Sequence, residues 1–228
     1  MQTEDIKISK YKDLVNIKTI DNGEQMVNLS ELYKDLVCKY EQQDMIHYVG
    51  EDIWVRQTVA NKLQKISDSL KKIKPEYKLK IVYGFRHPEI QKLYFEKRKE
   101  GLRIKNLNID EDDLNEMANS MTAFPETAGH PTGGAVDITI TTNLGDLDMG
   151  TTISDFSDIE KIKTYSKNIN LEQKSNRKIL HDLMIAENFA PFYGEWWHFS
   201  YGDKEWAWFY GKNNACYNQI NFQTKNSG

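Results

Sequence analysis

Two short segments constrain this chain most: Gly129-His130-Pro131-Thr132-Gly133-Gly134-Ala135-Val136-Asp137 and Gly194-Glu195-Trp196-Trp197-His198. Between them they offer two imidazoles, one carboxylate ligand and one spare carboxylate. Catalytic zinc takes three protein ligands and leaves its fourth position to water or substrate. His130, Asp137 and His198 form such a set. With one negative ligand rather than several thiolates, the metal keeps positive charge and stays a useful Lewis acid. Glu195, three residues before a ligand, is then free to act as a general base. Any fold that uses both segments must bring them together across the intervening chain, and the chemistry they suggest is hydrolysis.

The spacings alone are weak signals. A His and an Asp seven apart recur by chance, as does Glu-x-x-His, and the Trp196-Trp197 pair reads better as core or sheet packing than as a substrate box. The joint context adds weight: a Gly-Gly entry to a strand, an aromatic strand end, and Arg86 closing another strand.

Composition narrows the class without naming a function. A chain of 228 residues, 28% charged and 39% hydrophobic, suits one domain with a sizeable core. The net charge of -4 comes with 30 Lys and Arg spread along the chain, which favours neither nucleic acid nor an anionic membrane. Lys97-Arg98-Lys99 is flanked by Glu96 and Glu100 and reads as a solvated helix face. No stretch approaches the roughly 20 apolar residues of a membrane helix, so membrane insertion is not expected. The first 30 residues alternate charge with apolar groups and hold no hydrophobic core of a secretion signal, which points to the cytoplasm. Cys38 and Cys216 stand apart with no metal-binding pattern and are expected as reduced, structural thiols.

Periodicity supplies the elements. Ser30 is expected to cap a helix running through Leu32, Leu36 and Tyr40. A long amphipathic helix from 51 to 74 carries Val55, Val59, Leu63, Ile66, Leu70 and Ile73, and Pro75 closes it. The stretch 79–85 reads as a buried strand, Pro88 as the first turn of a new helix, and 110–121 as a helix with an acidic start. A strand over 134–140 and a helix over 171–189 follow. Two aromatic strands, 193–201 and 206–210, are expected to turn at Gly202-Asp203. On the 134–140 strand Asp137 shares a face with Ala135 and Thr139, opposite Val136, Ile138 and Ile140. Glu195 and His198 would fall on opposite faces of a regular strand, so Glu195 is expected before the strand proper. This mixed order predicts an α+β domain with a mostly antiparallel sheet flanked by helices. Residues 1–44 read as an extension packed on a catalytic domain over 45–228.

The segments Gly84-Phe85-Arg86, His130 to Thr139, Asp148-Met149-Gly150-Thr151 and Glu195 to His198 resemble, in order and spacing, the D-alanyl-D-alanine dipeptidases. These are a branch of the zinc D,D-peptidases that includes vancomycin-resistance enzymes. The resemblance spans roughly residues 45–210. It implies the zinc D,D-peptidase (hedgehog-like) fold and one zinc per chain on His130, Asp137 and His198. It also implies Glu195 as catalytic base, Arg86 as oxyanion stabiliser, and a small peptide substrate built from D-amino acids. The chain departs from the family pattern at four places. Ala128 stands where a Ser precedes the first His ligand, and Tyr83 where an Asp lies three before the arginine. His87 lengthens the Arg-Pro step, and Ser154 takes the place of an acidic residue that holds the substrate amine, with Asp155 adjacent. Three readings stay open: a dipeptidase for D-Ala-D-Ala or a relative, a carboxypeptidase or endopeptidase for peptidoglycan peptides, and a silent zinc domain that binds a peptide.

Overall fold

The computed structural model describes residues 6–224, so the ends of the expected 1–44 and 45–228 segments, 1–5 and 225–228, lie outside the described residues. The chain begins with α1 (Tyr11–Leu14), β1 (Lys18–Thr19), β2 (Met26–Asn28), α2 (Leu29–Leu32), β3 (Val37–Cys38), α3 (Ile46–Val49) and β4 (Trp54–Arg56). It continues with α4 (Gln57–Ile73), β5 (Lys78–Tyr83), α5 (Pro88–Lys105), α6 (Glu111–Asn119), β6 (Ala135–Thr142) and β7 (Gly145–Asp146). The last third holds α7 (Ile159–Ile162), α8 (Leu171–Ala186), β8 (Ala190–Pro191), β9 (His198–Ser200), α9 (Lys204–Phe209) and β10 (Asn214–Ala215).

One six-stranded sheet organises these pieces, in the order β3-β5-β6-β9-β8 with β7 paired to β6. Only β3–β5 is parallel in it, so the sheet is mostly antiparallel and the class is α+β, as the sequence predicts. Two small ribbons, β1–β10 and β2–β4, attach the N-terminal segment to the rest. The core lies between the sheet and α4 and α8. Val59, Leu63, Ile66 and Leu70 recur at threes and fours on α4, are at most 1% exposed, and meet Val136, Ile138 and Ile140 of β6.

Local chemistry sets the helix ends. Lys74 is extended, as the residue before Pro75 prefers, and stops α4. Pro88 opens α5 at its first turn. Asp110 accepts from the N–H groups of Asp112 and Asp113, so the acidic run 110–113 is a helix cap. Asn170 and Gln173 close a reciprocal capping box on α8.

Four expected elements differ. The helix expected from 51 starts only at Gln57, because Trp54-Val55-Arg56 pairs antiparallel with β2, and Val55 satisfies strand and helix spacing alike. The helix expected after Ser30 ends at Leu32; its cap is Asn28, and Val37 is drawn into the sheet beside β5. The stretch 206–210 is helical rather than a strand: Asp203 accepts from the N–H of Trp206 at 2.8 Å and nucleates α9. The aromatic strand at 193–201 narrows to His198–Ser200.

Leu63 is fully buried, so Leu63→Ala is expected to cost about 2–5 kcal/mol in chemical denaturation, with the slope unchanged. A loss below about 1 kcal/mol would place this side chain outside the tightly packed core.

Candidate active site

Three neighbouring strands place the site. Tyr83 on β5 is in register with Asp137 on β6, and Asp137 with His198 on β9, so the three side chains form one row across the sheet. His130 reaches the same row from a 3-10 turn, His130–Thr132, just before β6. That turn closes with Gly133 at φ +74°, a conformation glycine adopts without a Cβ penalty. Arg56 clamps it: its Nε donates to the Thr132 carbonyl at 2.7 Å, and its backbone N–H to the Gly133 carbonyl at 2.9 Å. Glu195 sits in the turn ahead of β9, next to Gly194, as the spacing argument requires. Arg86 follows the end of β5, and its N–H donates to the His130 carbonyl at 3.2 Å.

His130 Nε2 lies 3.4 Å from one Asp137 oxygen, and His198 Nδ1 3.0 Å from the other. Donor atoms of the three residues all fall within 4.8 Å of one another, close enough to share one cation. His130 Nδ1 is 2.7 Å from the Gly84 carbonyl, which can only accept. The proton therefore sits on Nδ1 and the Nε2 lone pair faces Asp137. Two imidazole nitrogens and a carboxylate oxygen are the donor chemistry of a catalytic zinc site, with Glu195 lining the same cleft. Beyond His198, Glu205 Oε2 stands 4.0 Å from Nε2, and Ser9 donates to the other Glu205 oxygen at 2.8 Å.

Electrostatics follow from burial and pairing. Burial pushes Glu195 up to about 8, and nearby His198 only partly offsets it. Burial would also raise Asp137, but the two imidazoles hold it well below the usual carboxylate range. Burial lowers His130 to about 4, whereas His198, bonded to Asp137, rises to about 9 despite its burial. Glu205, buried with little to offset it, rises to about 7.

These residues line one cleft of about 510 Å³, with Arg86, His130, Asp137, Glu195 and His198 all in its wall. All five residues singled out in the sequence are thus brought together. The departures also have places. Ala128 and Ser154 line the cleft, Ser154 at φ +62°. Asp155 instead accepts from the Ser157 N–H at 3.0 Å. His87 caps α5 and stacks on Tyr48 with ring centroids 4.1 Å apart, so the extra residue serves the helix start. His181 bonds Tyr165, and both cysteines are free thiols. Sequence reasoning missed Ser9, Asp44, Arg56 and Glu205. Their signal is tertiary, with nothing in local spacing to mark them.

A cluster of donor atoms within 4.8 Å of one another, beside a further carboxyl in the same cleft, is a metallohydrolase arrangement. The profile of the D-ala-D-ala dipeptidase family, Peptidase_M15, matches residues 56–223, and the chain belongs to that metallopeptidase family. A D-alanyl-D-alanine dipeptidase of Synechocystis sp. (strain ATCC 27184 / PCC 6803 / Kazusa) is 26% identical, over 76% of this chain and 79% of the relative. Among solved structures, the LdcB LD-carboxypeptidase is 20% identical with a TM-score of 0.44, covering 84% of this chain and 72% of that one. The vancomycin-resistance D,D-pentapeptidase VanY in complex with Zn(II) is 16% identical with a TM-score of 0.43, covering 74% and 84%. Family membership rests on the sequence match over residues 56–223.

The Gly84 carbonyl that orients His130 depends on a close approach. A Cβ on Gly84 would meet the Trp54 carbonyl oxygen at 2.6 Å and Ile53 Cγ2 at 2.9 Å. Gly84→Ala is therefore expected to weaken zinc affinity about 10–100-fold in chelator competition, as loss of a ligand's supporting hydrogen bond does. Undiminished affinity would show that His130 needs no such support.

Proposed function

We propose that this chain is a zinc-dependent dipeptidase that hydrolyses D-Ala-D-Ala or a related small dipeptide, with one zinc per chain on His130, Asp137 and His198. The observation that carries the reading is the convergence of those three donors within 4.8 Å in a cleft that Glu195 and Arg86 also line. Zinc bound there supplies Lewis acidity, polarising the scissile carbonyl and making water a stronger acid. Glu195 takes the proton of the attacking water and returns it to the leaving amine; its raised affinity for a proton suits both halves of that task. Arg86 offers charge-assisted hydrogen bonds where negative charge develops on the carbonyl oxygen. His130 is held by Gly84 and His198 faces Glu205, so neither imidazole has to reorganise during turnover. No covalent intermediate is required.

The substrate's ends are read differently from the family pattern. Ser154 lines the cleft where an acidic residue would hold the free amine, and Ala128 brings no hydroxyl. The ranking of substrates is therefore expected to differ from that of a strict D-Ala-D-Ala enzyme. A second reading, trimming of longer cell-wall peptides, is favoured by one observation: the cleft continues along α5 past Arg98 and Leu102 to Lys105, farther than two alanine residues reach.

Purified protein incubated with D,D-, L,D- and L,L-dipeptides and with longer muropeptides, with and without chelator, separates these readings. The proposal expects chelator-sensitive release of amino acid from a dipeptide. Turnover of longer peptides alone would favour the second reading, and hydrolysis of none would leave a silent binding domain.

Glu195→Gln should keep zinc and lower kcat by about 10²–10⁴, the usual worth of a positioned general base. Loss of zinc together with activity would make Glu195 a ligand instead.

A further inference from the structure

Arg86 is an unusual cation. Its Nε is fully buried without a hydrogen-bond partner, and no carboxylate lies within 4.0 Å of the guanidinium among the described residues. Its Nη1 donates to the neutral Gln91 Oε1 at 2.9 Å, and the Tyr83 hydroxyl is a second hydrogen-bond partner. Asp137 attracts the guanidinium from beyond ion-pair distance, and two tyrosines flank it: the guanidinium carbon stands 4.5 Å from the Tyr83 ring centre and 5.3 Å from that of Tyr94. Such cation–π contacts strengthen when desolvated.

Both phenols end on one carboxylate. Tyr83 donates to Asp44 Oδ2 at 2.7 Å, Tyr94 to the same oxygen at 2.5 Å, and Tyr40 to Oδ1. The Tyr40 oxygen also accepts from the Met45 N–H at 2.7 Å, which pins the Asp44 loop. Burial pushes the Tyr83 and Tyr94 hydroxyls well above the usual phenol range, so they stay protonated donors. A phenol that donates to a carboxylate has a more electron-rich ring face, and its ring cannot swing. Asp44 thus sets both the orientation of the two neutral rings and the negative potential of their faces. The matched family segment begins at residue 56, so this carboxylate comes from chain outside it. It also compensates for Tyr83, whose uncharged side chain occupies the family's Asp position.

We infer that Asp44 is a positioning residue for Arg86, acting through Tyr83 and Tyr94 to hold the guanidinium where the oxyanion forms. The inference rests on the proposed role of Arg86 in transition-state stabilisation.

The test is a double-mutant cycle on the zinc-loaded, full-length protein with D-Ala-D-Ala as substrate, read alongside the NMR signal of the Arg86 Nε–H. Arg86→Ala alone should lower kcat by about 10²–10³ with metal content unchanged; an unchanged kcat would defeat the reading of Arg86 itself. Given that loss, Asp44→Asn should lower kcat about tenfold with KM little changed, and should add nothing in the Arg86→Ala background. Tyr94→Phe, a gentler change at the cleft edge, should show the same non-additivity. Independently of turnover, the Arg86 Nε–H signal should lose its ring-current shift and exchange about tenfold faster in Asp44→Asn. A kcat loss that is the same with or without Arg86, or an unaltered Nε–H signal, would overturn the inference and leave Asp44 as a support for the fold.

Discussion

The register between β6 and β9 is the constraint on which the rest depends. Pairing Asp137 with His198 brings a carboxylate and an imidazole 61 residues apart in sequence to 3.0 Å, and pairing Asp137 with Tyr83 sets the neighbouring strand in the same row. A slip of one residue would turn Asp137 into the apolar layer formed by Val136, Ile138 and Ile140, all fully buried against α4 and α8. Hydrophobic packing on one face of the strand thus fixes the chemistry on the other. Burying a carboxylate and two imidazoles is costly unless they pair with each other or with a cation, which is why this polar row is also the natural place for a metal.

Around that row the protein has built support rather than further donors. The Gly84 carbonyl sets the His130 tautomer, Arg56 clamps the turn that carries it, and Glu205 with Ser9 stands behind His198. Ser9 and Asp44 both come from the N-terminal segment. That segment joins the domain through β1, β2 and β3, each paired with a strand from later in the chain. The cleft is therefore shaped in part by sequence outside the matched family segment, with Ser9 and Gln42 in its lining.

Much of this was legible in sequence, for identifiable reasons. Val59, Leu63, Ile66 and Leu70 mark α4 because helical periodicity and burial coincide there. Pro88 and Asp110 mark helix starts because they act locally. His130, Asp137, Glu195 and His198 could be read because their chemistry is confined to two short motifs. What escaped depends on partners distant in sequence. Val55, and Leu36 with Tyr40, fit helices by spacing, but β2 claims Val55 and β5 draws the intervening Val37–Cys38 into the sheet. Trp206 to Tyr210 is aromatic enough for a strand, yet the Asp203 cap decides for a helix. Asp44 and Glu205 carry no motif at all, and only the folded sheet places one behind Arg86 and the other behind His198.

The central claim is that the row across β6 and β9 is a metal centre. Crystals grown with zinc and measured at the zinc absorption edge test it most directly. The account predicts one strong anomalous peak per chain, bonded to His130 Nε2, His198 Nδ1 and an Asp137 oxygen at about 2.0–2.2 Å, with Glu195 outside bonding distance. A peak at another place, or one that takes Glu195 as a ligand in preference to Asp137, would contradict it.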